Sequence, residues 1–226
     1  MNGLTVVFDL DGTLVETAPD LVHATNHALA MRGLEPVAPE EVRPFISFGA
    51  RAMIKKGLAF HGHDVPDGEF ESLFSRFITY YADNICVGSH LFPGLTDSLD
   101  RLSARGARLA VCTNKQEGLS RKLLDALSVS SRFAALAGRD TFPVCKPHPD
   151  HLYGAIRLAG GDVRHAVMVG DSDVDIATAK GAGIPIVAVN FGYTDVPVAD
   201  LAPDAVIGHY RELEAAIDGI RARPSG

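Results

Sequence analysis

The chain has 226 residues, of which 46% are hydrophobic and 22% charged, the proportions of a folded globular protein and not of a disordered tail or a collagen-like array. That length lies where single cores stop growing, so one large domain and a core with an insertion both fit. With 28 acidic against 21 basic residues and a formal net charge of -7, the chain lacks the basic face with which proteins usually meet nucleic-acid phosphates.

Cys86, Cys112 and Cys145 are odd in number and far apart, which suits free thiols in a reducing compartment, each read as a small buried hydrophobe. No apolar run approaches the roughly 20 residues of a membrane span. The start, Met1-Asn2-Gly3-Leu4-Thr5, lacks the charged region of a signal peptide. A cytoplasmic location with neither nucleic acid nor membrane as partner is expected.

In chain order, the run Leu4 to Phe8 is short, β-branched and continuous, as expected of a strand buried on both faces. Similar runs follow at 108–111, 166–169, 185–189 and, shorter, 205–207. Helical patterns at 94–105, 116–127, 149–159 and 172–182 lie between them; Ser172 is placed as an N-cap and Gly183 as a helix stop. Strand alternating with helix over short connections implies an α/β fold with a doubly wound parallel sheet, whose ligands bind beyond the carboxyl ends of the strands. The stretch 15–90 breaks the rhythm, with no convincing strand and several helical segments. Within it Phe70, Leu73, Phe74, Phe77, Ile78 and Tyr81 recur at helix spacing and read as a packing face. The expected organisation is a catalytic core of 1–14 and 91–226 with an inserted α-helical cap at 15–90.

The strand ends carry the chemistry. In Phe8-Asp9-Leu10-Asp11-Gly12-Thr13, two carboxylates one residue apart can face one pocket. One could accept a phosphoryl group as an aspartyl phosphate, and the other could protonate the leaving alcohol and then activate water. Asp171, past the strand at 166–169, offers a third carboxylate, and hard oxygen ligands around a phosphate suit magnesium. Asp175, one turn on, could brace the site, whereas Asp173 reads as a helix-start acid. Thr113 and the backbone N–H groups beside it, at Asn114, can donate to phosphate oxygens. Lys146 in Lys146-Pro147 can add fixed positive charge; alone it would read as a surface lysine, but its place between two strand ends points inward.

These residues in this order, Asp9-Leu10-Asp11-Gly12-Thr13, Thr113-Asn114, Lys146-Pro147 and Gly170-Asp171 with Asp175, resemble the four motifs of the haloacid dehalogenase-like superfamily. The resemblance spans most of the chain and implies a Rossmann-like core, an inserted helical cap and Mg2+-dependent phosphoryl transfer. It implies Asp9 as nucleophile and metal ligand, and Asp11 as general acid/base and metal ligand through its backbone carbonyl. Asp171 becomes another ligand, and Thr113, Asn114 and Lys146 hold the phosphate. Asp11 is the aspartate that the dehalogenase branches lack. Val15-Glu16-Thr17-Ala18-Pro19-Asp20-Leu21 and the stretch from Tyr80-Tyr81 to Phe92-Pro93-Gly94 resemble the phosphoglycolate phosphatase branch, so 2-phosphoglycolate, a small-molecule phosphate ester, is the substrate that the resemblance implies. His148 stands where that family more often has an acid.

Arg51, after Ser47-Phe48-Gly49-Ala50, is a candidate for meeting a substrate carboxylate, with Lys55 and Lys56 behind it; a solvated helix face is the plainer reading for all three. His61, His63, His148 and His151 lack the partners of a closed metal site and read as surface or loop residues. The competing readings are a related phosphatase or mutase for another small phosphate ester or pyrophosphate, and a phospho-acceptor signalling domain. The expected assembly is a monomer or small homo-oligomer.

Overall fold

The computed structural model describes residues 1–194 and 196–223. It opens with β1 (Thr5–Phe8), buried along its whole length. Then come β2 (Val15–Glu16), α1 (Ala18–Leu29), α2 (Pro39–Val42), α3 (Ala50–Phe60), α4 (Asp67–Asp83) and β3 (His90–Leu91). The alternation that follows is α5 (Leu95–Ala104), β4 (Arg108–Cys112), α6 (Glu117–Ala126), β5 (Ala135–Ala137) and α7 (Pro149–Leu158). It ends with β6 (Ala166–Gly170), α8 (Asp173–Ala182), β7 (Ile186–Val189), β8 (Ala205–Ile207) and α9 (Leu213–Arg221).

Six strands form one sheet in the order β5-β4-β1-β6-β7-β8, and every neighbouring pair is parallel. The α/β doubly wound parallel sheet with an inserted helical region is therefore the observed fold. Successive side chains of β1 alternate between the two faces. Val6 and Phe8 join the core that continues into α1, α3 and α4, while Val7 packs with Met168, Leu152 and Ile156 on the other face. Burial on both faces explains why β1 reads as an unbroken apolar run rather than an alternating one.

Two features were not anticipated. The edge strand β5 is Ala-Leu-Ala, too short and too poor in β-branched residues to show a strand pattern. Inside the helical stretch, β2 and β3 pair antiparallel, Val15 with Leu91 and Glu16 with His90, so both chain crossings are tied together by two residues each. Asp20 strengthens that tie. Its buried carboxylate accepts hydrogen bonds from the backbone N–H groups of Val87 (3.0 Å), Gly88 (2.9 Å) and Ser89 (2.8 Å) and from the Ser89 hydroxyl (2.6 Å).

The helix α8 begins and ends as its sequence suggests. Ser172 caps it in a reciprocal box with Asp175, and Gly183 closes it in the left-handed conformation. Among the described residues the cysteines are free, Cys112 buried and the other two half-buried. No helix among them is long and apolar enough to cross a membrane.

Candidate active site

The carboxyl end of β1 lies between β4 and β6, where connections leave to opposite sides of the sheet and a crevice opens. The ladder runs one residue past the strand, Asp9 N–H donating to the Val169 carbonyl at 2.9 Å, which fixes Asp9 at the floor. The chain then turns through Gly12 at φ +83°, where a Cβ would run into the Asp171 carboxylate. Only glycine satisfies both demands there.

Asp9 and Asp11 are 4% and 8% exposed, yet they meet different cations. Asp9 Oδ1 is 2.8 Å from Lys146 Nζ, close enough for strong attraction but out of hydrogen-bonding alignment. Asp11 Oδ1 is 2.9 Å from Lys115 Nζ and accepts from Thr17 Oγ1 at 2.8 Å.

From β6, Asp171 Oδ1 accepts from Thr13 Oγ1 at 2.9 Å and Oδ2 from Tyr193 N–H at 2.8 Å. Asp175 is fully engaged: Oδ1 accepts from Lys146 Nζ at 2.6 Å, and Oδ2 from Ser172 Oγ at 2.7 Å and from the N–H groups of Asp171 and Ser172 at 3.2 Å. Carboxylate oxygens of Asp9, Asp171 and Asp175 lie within 4.8 Å of one another. Asp173 points to solvent in the first turn of α8.

Lys146 is 4% exposed. Its backbone N–H donates to His151 Nδ1 at 3.1 Å, and His151 Nε2 lies 3.0 Å from the Gly138 carbonyl. A carbonyl only accepts, so Nε2 carries the proton and the ring is held as one neutral tautomer. Burial, reinforced by the Lys146 charge, lowers the His151 pKa to about 4. This histidine is structural and buried, contrary to its expected surface position; His148 is exposed and caps α7 by accepting from Asp150 N–H at 3.2 Å. Asn114 Nδ2 donates to the Lys146 carbonyl at 3.1 Å, and Thr113 N–H donates to the Ala137 carbonyl at 3.0 Å. Asp9, Asp11, Thr113 and Asn114 all border one cavity of about 240 Å³.

The electrostatics of the cluster are unbalanced. Asp9, Asp11, Asp171 and Asp175 are buried against two buried ammonium groups, Lys115 and Lys146. Burial pushes the Asp9 carboxyl up, Lys146 pulls it back and Asp175 raises it again, to about 7. Asp171 is raised well above the carboxylate range by burial and then by Asp175 and Asp9. For Lys146, burial favours the neutral form, but Asp175 and Asp9 outweigh it and hold the ammonium charged. Four buried carboxyls on two ammonium groups are an excess of hard oxygen donors that fits a divalent cation of the magnesium type; Asp171 is the one of the four that no lysine pairs with, and Asp9 Oδ1 is left without a hydrogen bond.

The opposite wall of the cavity comes from the helical region, including Ile46, Met53, Phe74 and Ile78. The α4 stripe thus does both: Phe70 and Leu73 are buried in the core, while Phe74, Phe77, Ile78 and Tyr81 pack against it and also border the cavity. Arg51 reaches the cavity too, but Glu71 holds it in a two-pronged pair at 2.6 and 2.8 Å. Lys55 and Lys56 lie over the rings of Phe70 and Phe45 and do not border the cavity.

Sequence reasoning overlooked Lys115 and Tyr193. Lys115 directly follows Thr113-Asn114, and that adjacency was the available signal. Tyr193 had none: its hydroxyl gathers Glu16 (2.8 Å), Thr17 N–H (2.6 Å) and Ala18 N–H (3.0 Å) from the far end of the sequence.

Comparison with known proteins matches residues 6–189 to the haloacid dehalogenase-like hydrolase family. A phosphoglycolate phosphatase of Mesorhizobium japonicum is 46% identical over 226 residues, covering all of both chains. One from Agrobacterium fabrum is 45% identical over 93% of this chain and 91% of its own. Among solved structures, a predicted phosphoglycolate phosphatase from Haemophilus somnus superposes with a TM-score of 0.89 at 30% identity, covering 96% of this chain and 99% of the other.

Proposed function

The chain belongs to the haloacid dehalogenase-like hydrolase family, and on that premise we propose that it hydrolyses 2-phosphoglycolate to glycolate and phosphate through Asp9. The observation that carries the reading is Lys146 facing Asp9 and Asp175 inside a buried carboxylate cluster at the strand ends. The full-length relatives named phosphoglycolate phosphatase support the substrate.

Asp9 attacks phosphorus, the bond from phosphorus to the glycolate oxygen breaks, and Asp11 gives the leaving alkoxide its proton. Asp11 then takes a proton from water, whose oxygen attacks the phosphorus of the aspartyl phosphate, and the Asp9 carboxylate departs. Lys146 favours the ionised form of Asp9 against its burial and opposes the charge gathering on the phosphoryl oxygens. Thr113, through its hydroxyl, and the backbone at Asn114 donate to those oxygens. Lys115 and Thr17 hold Asp11 in one orientation. Asp9 and Asp171, with the backbone carbonyl of Asp11, are the proposed ligands of Mg2+, which when bound neutralises phosphoryl charge.

Residues 15–90 form the proposed cap and 1–14 with 91–226 the catalytic core; the cap wall excludes water from the reacting groups. The three free cysteines support a reducing, cytoplasmic setting. The test is phosphate release with Mg2+ from a panel of 2-phosphoglycolate, pyrophosphate and sugar phosphates. The expected result is the highest kcat/KM for 2-phosphoglycolate and no turnover in Asp9→Asn. A higher kcat/KM for another member would reassign the substrate, and unchanged activity in Asp9→Asn would remove the nucleophile.

A further inference from the structure

A substrate with phosphate at one end and carboxylate at the other needs positive charge at both. Around the reacting end the cations are engaged: Lys146 by Asp9 and Asp175, and Lys115 by Asp11. On the cap side, Arg51 is neutralised by Glu71. Arg139 is different. It borders the cavity, and among the described residues no carboxylate pairs with it. Its neighbour Asp140 is turned away to accept from Glu117 N–H at 2.7 Å.

The placement of Arg139 is built into the core. Its N–H donates to the Lys115 carbonyl at 2.9 Å, which joins it to the segment carrying Thr113 and Asn114. Its Nη1 lies 4.0 Å from the point a Cβ on Gly49 would occupy, as does the Asn114 carbonyl oxygen. Gly49 precedes α3, whose first turn has no side-chain cap; the Gly49 carbonyl takes the N–H groups of Ala52 and Met53 at 3.0 and 3.3 Å, which leaves those of Ala50 and Arg51 without an intrahelical acceptor. The Ser47 hydroxyl, two residues before Gly49, is buried without a hydrogen-bond partner. A guanidinium that no carboxylate pairs among the described residues and the start of α3 therefore meet at one wall of the cavity, which Ser47 also borders.

We propose that Arg139 is the specificity-determining residue that binds the substrate carboxylate, with the start of α3 completing the anion site from the cap. The assignment rests on the phosphoglycolate reading above. A guanidinium fork matches a carboxylate with two parallel hydrogen bonds, and a neutral tail leaves that wall unsatisfied.

The experiment compares 2-phosphoglycolate with ethylene glycol monophosphate, which replaces the carboxylate by a neutral CH2OH group. Steady-state kinetics would be measured for wild type, Arg139→Ala, Arg139→Lys and Arg51→Ala. In Arg139→Ala, KM for phosphoglycolate should rise about tenfold or more, with KM for the neutral ester and both kcat values within about twofold. Arg139→Lys should recover part of the discrimination, and Arg51→Ala should preserve it. Equal KM changes for both esters in Arg139→Ala, or loss of discrimination only in Arg51→Ala, would overturn the assignment while leaving the phosphoglycolate reading intact. A wild type that turns over the neutral ester as well as phosphoglycolate would overturn both.

Discussion

Asp9 and Asp11 are neighbours but one in the chain, and each is defined by a different lysine. Lys146 arrives from the loop before α7 and Lys115 from the loop after β4, so two chemically identical carboxylates acquire separate electrostatic settings. The backbone that presents Lys146 is held in turn by His151, a residue that a sequence reading places at the surface. Its folded pKa of about 4 against an ordinary 6.5 means that between those values the unfolded chain binds the extra proton and the folded protein does not. Stability from this group is therefore present above about pH 6.5 and is lost as pH falls towards 4. Replacing it by Gln, which can keep both hydrogen bonds without titrating, should remove that part of the acid sensitivity. Urea unfolding at pH 7 and pH 5 should show wild type losing about 2 kcal/mol more than His151→Gln over the interval; equal losses would contradict the assignment.

At the scale of elements, the candidate site is made by strand ends, and the two ends of the helical region are tied by a two-residue ribbon. The buried strands and the helices between them were legible because an apolar run bounded by polar residues has one plain interpretation, and Ser172 and Gly183 punctuated α8 as capping chemistry requires. β5 was not legible, since Ala-Leu-Ala contains no strand signal, and the β2–β3 ribbon was not because two residues show no period. Nor could periodicity say that Phe74, Phe77, Ile78 and Tyr81 on the packing face of α4 also border the cavity; that depends on what lies opposite. The ribbon depends on Asp20, whose four hydrogen bonds join residues 67 to 69 positions apart. Asp20→Ala strands these donors and should lower stability by about 3 kcal/mol, read by urea denaturation. A loss under about 1 kcal/mol would show that water replaces the carboxylate without cost.

For the whole molecule, a net charge of -7 is at odds with binding a dianionic ester unless positive charge is concentrated locally. Lys115 and Lys146 are buried where the negative charge is densest, and Arg139 borders the cavity with no carboxylate paired to it among the described residues. The motif residues Asp9, Asp11, Asp171, Thr113, Asn114 and Lys146 could be gathered from the sequence because they follow strands of one parallel sheet. Tyr193 and Arg139 could not, because their neighbours are distant in sequence and follow no pattern. The central claim is that the phosphoryl group passes through Asp9. It is tested most directly by mixing the Mg2+-loaded enzyme with phosphate-labelled 2-phosphoglycolate, quenching in acid within a turnover and mapping the label by peptide mass spectrometry. The label should lie on Asp9 and be released by hydroxylamine, as an acyl phosphate is; label on another residue, or none while phosphate is still released, would contradict it.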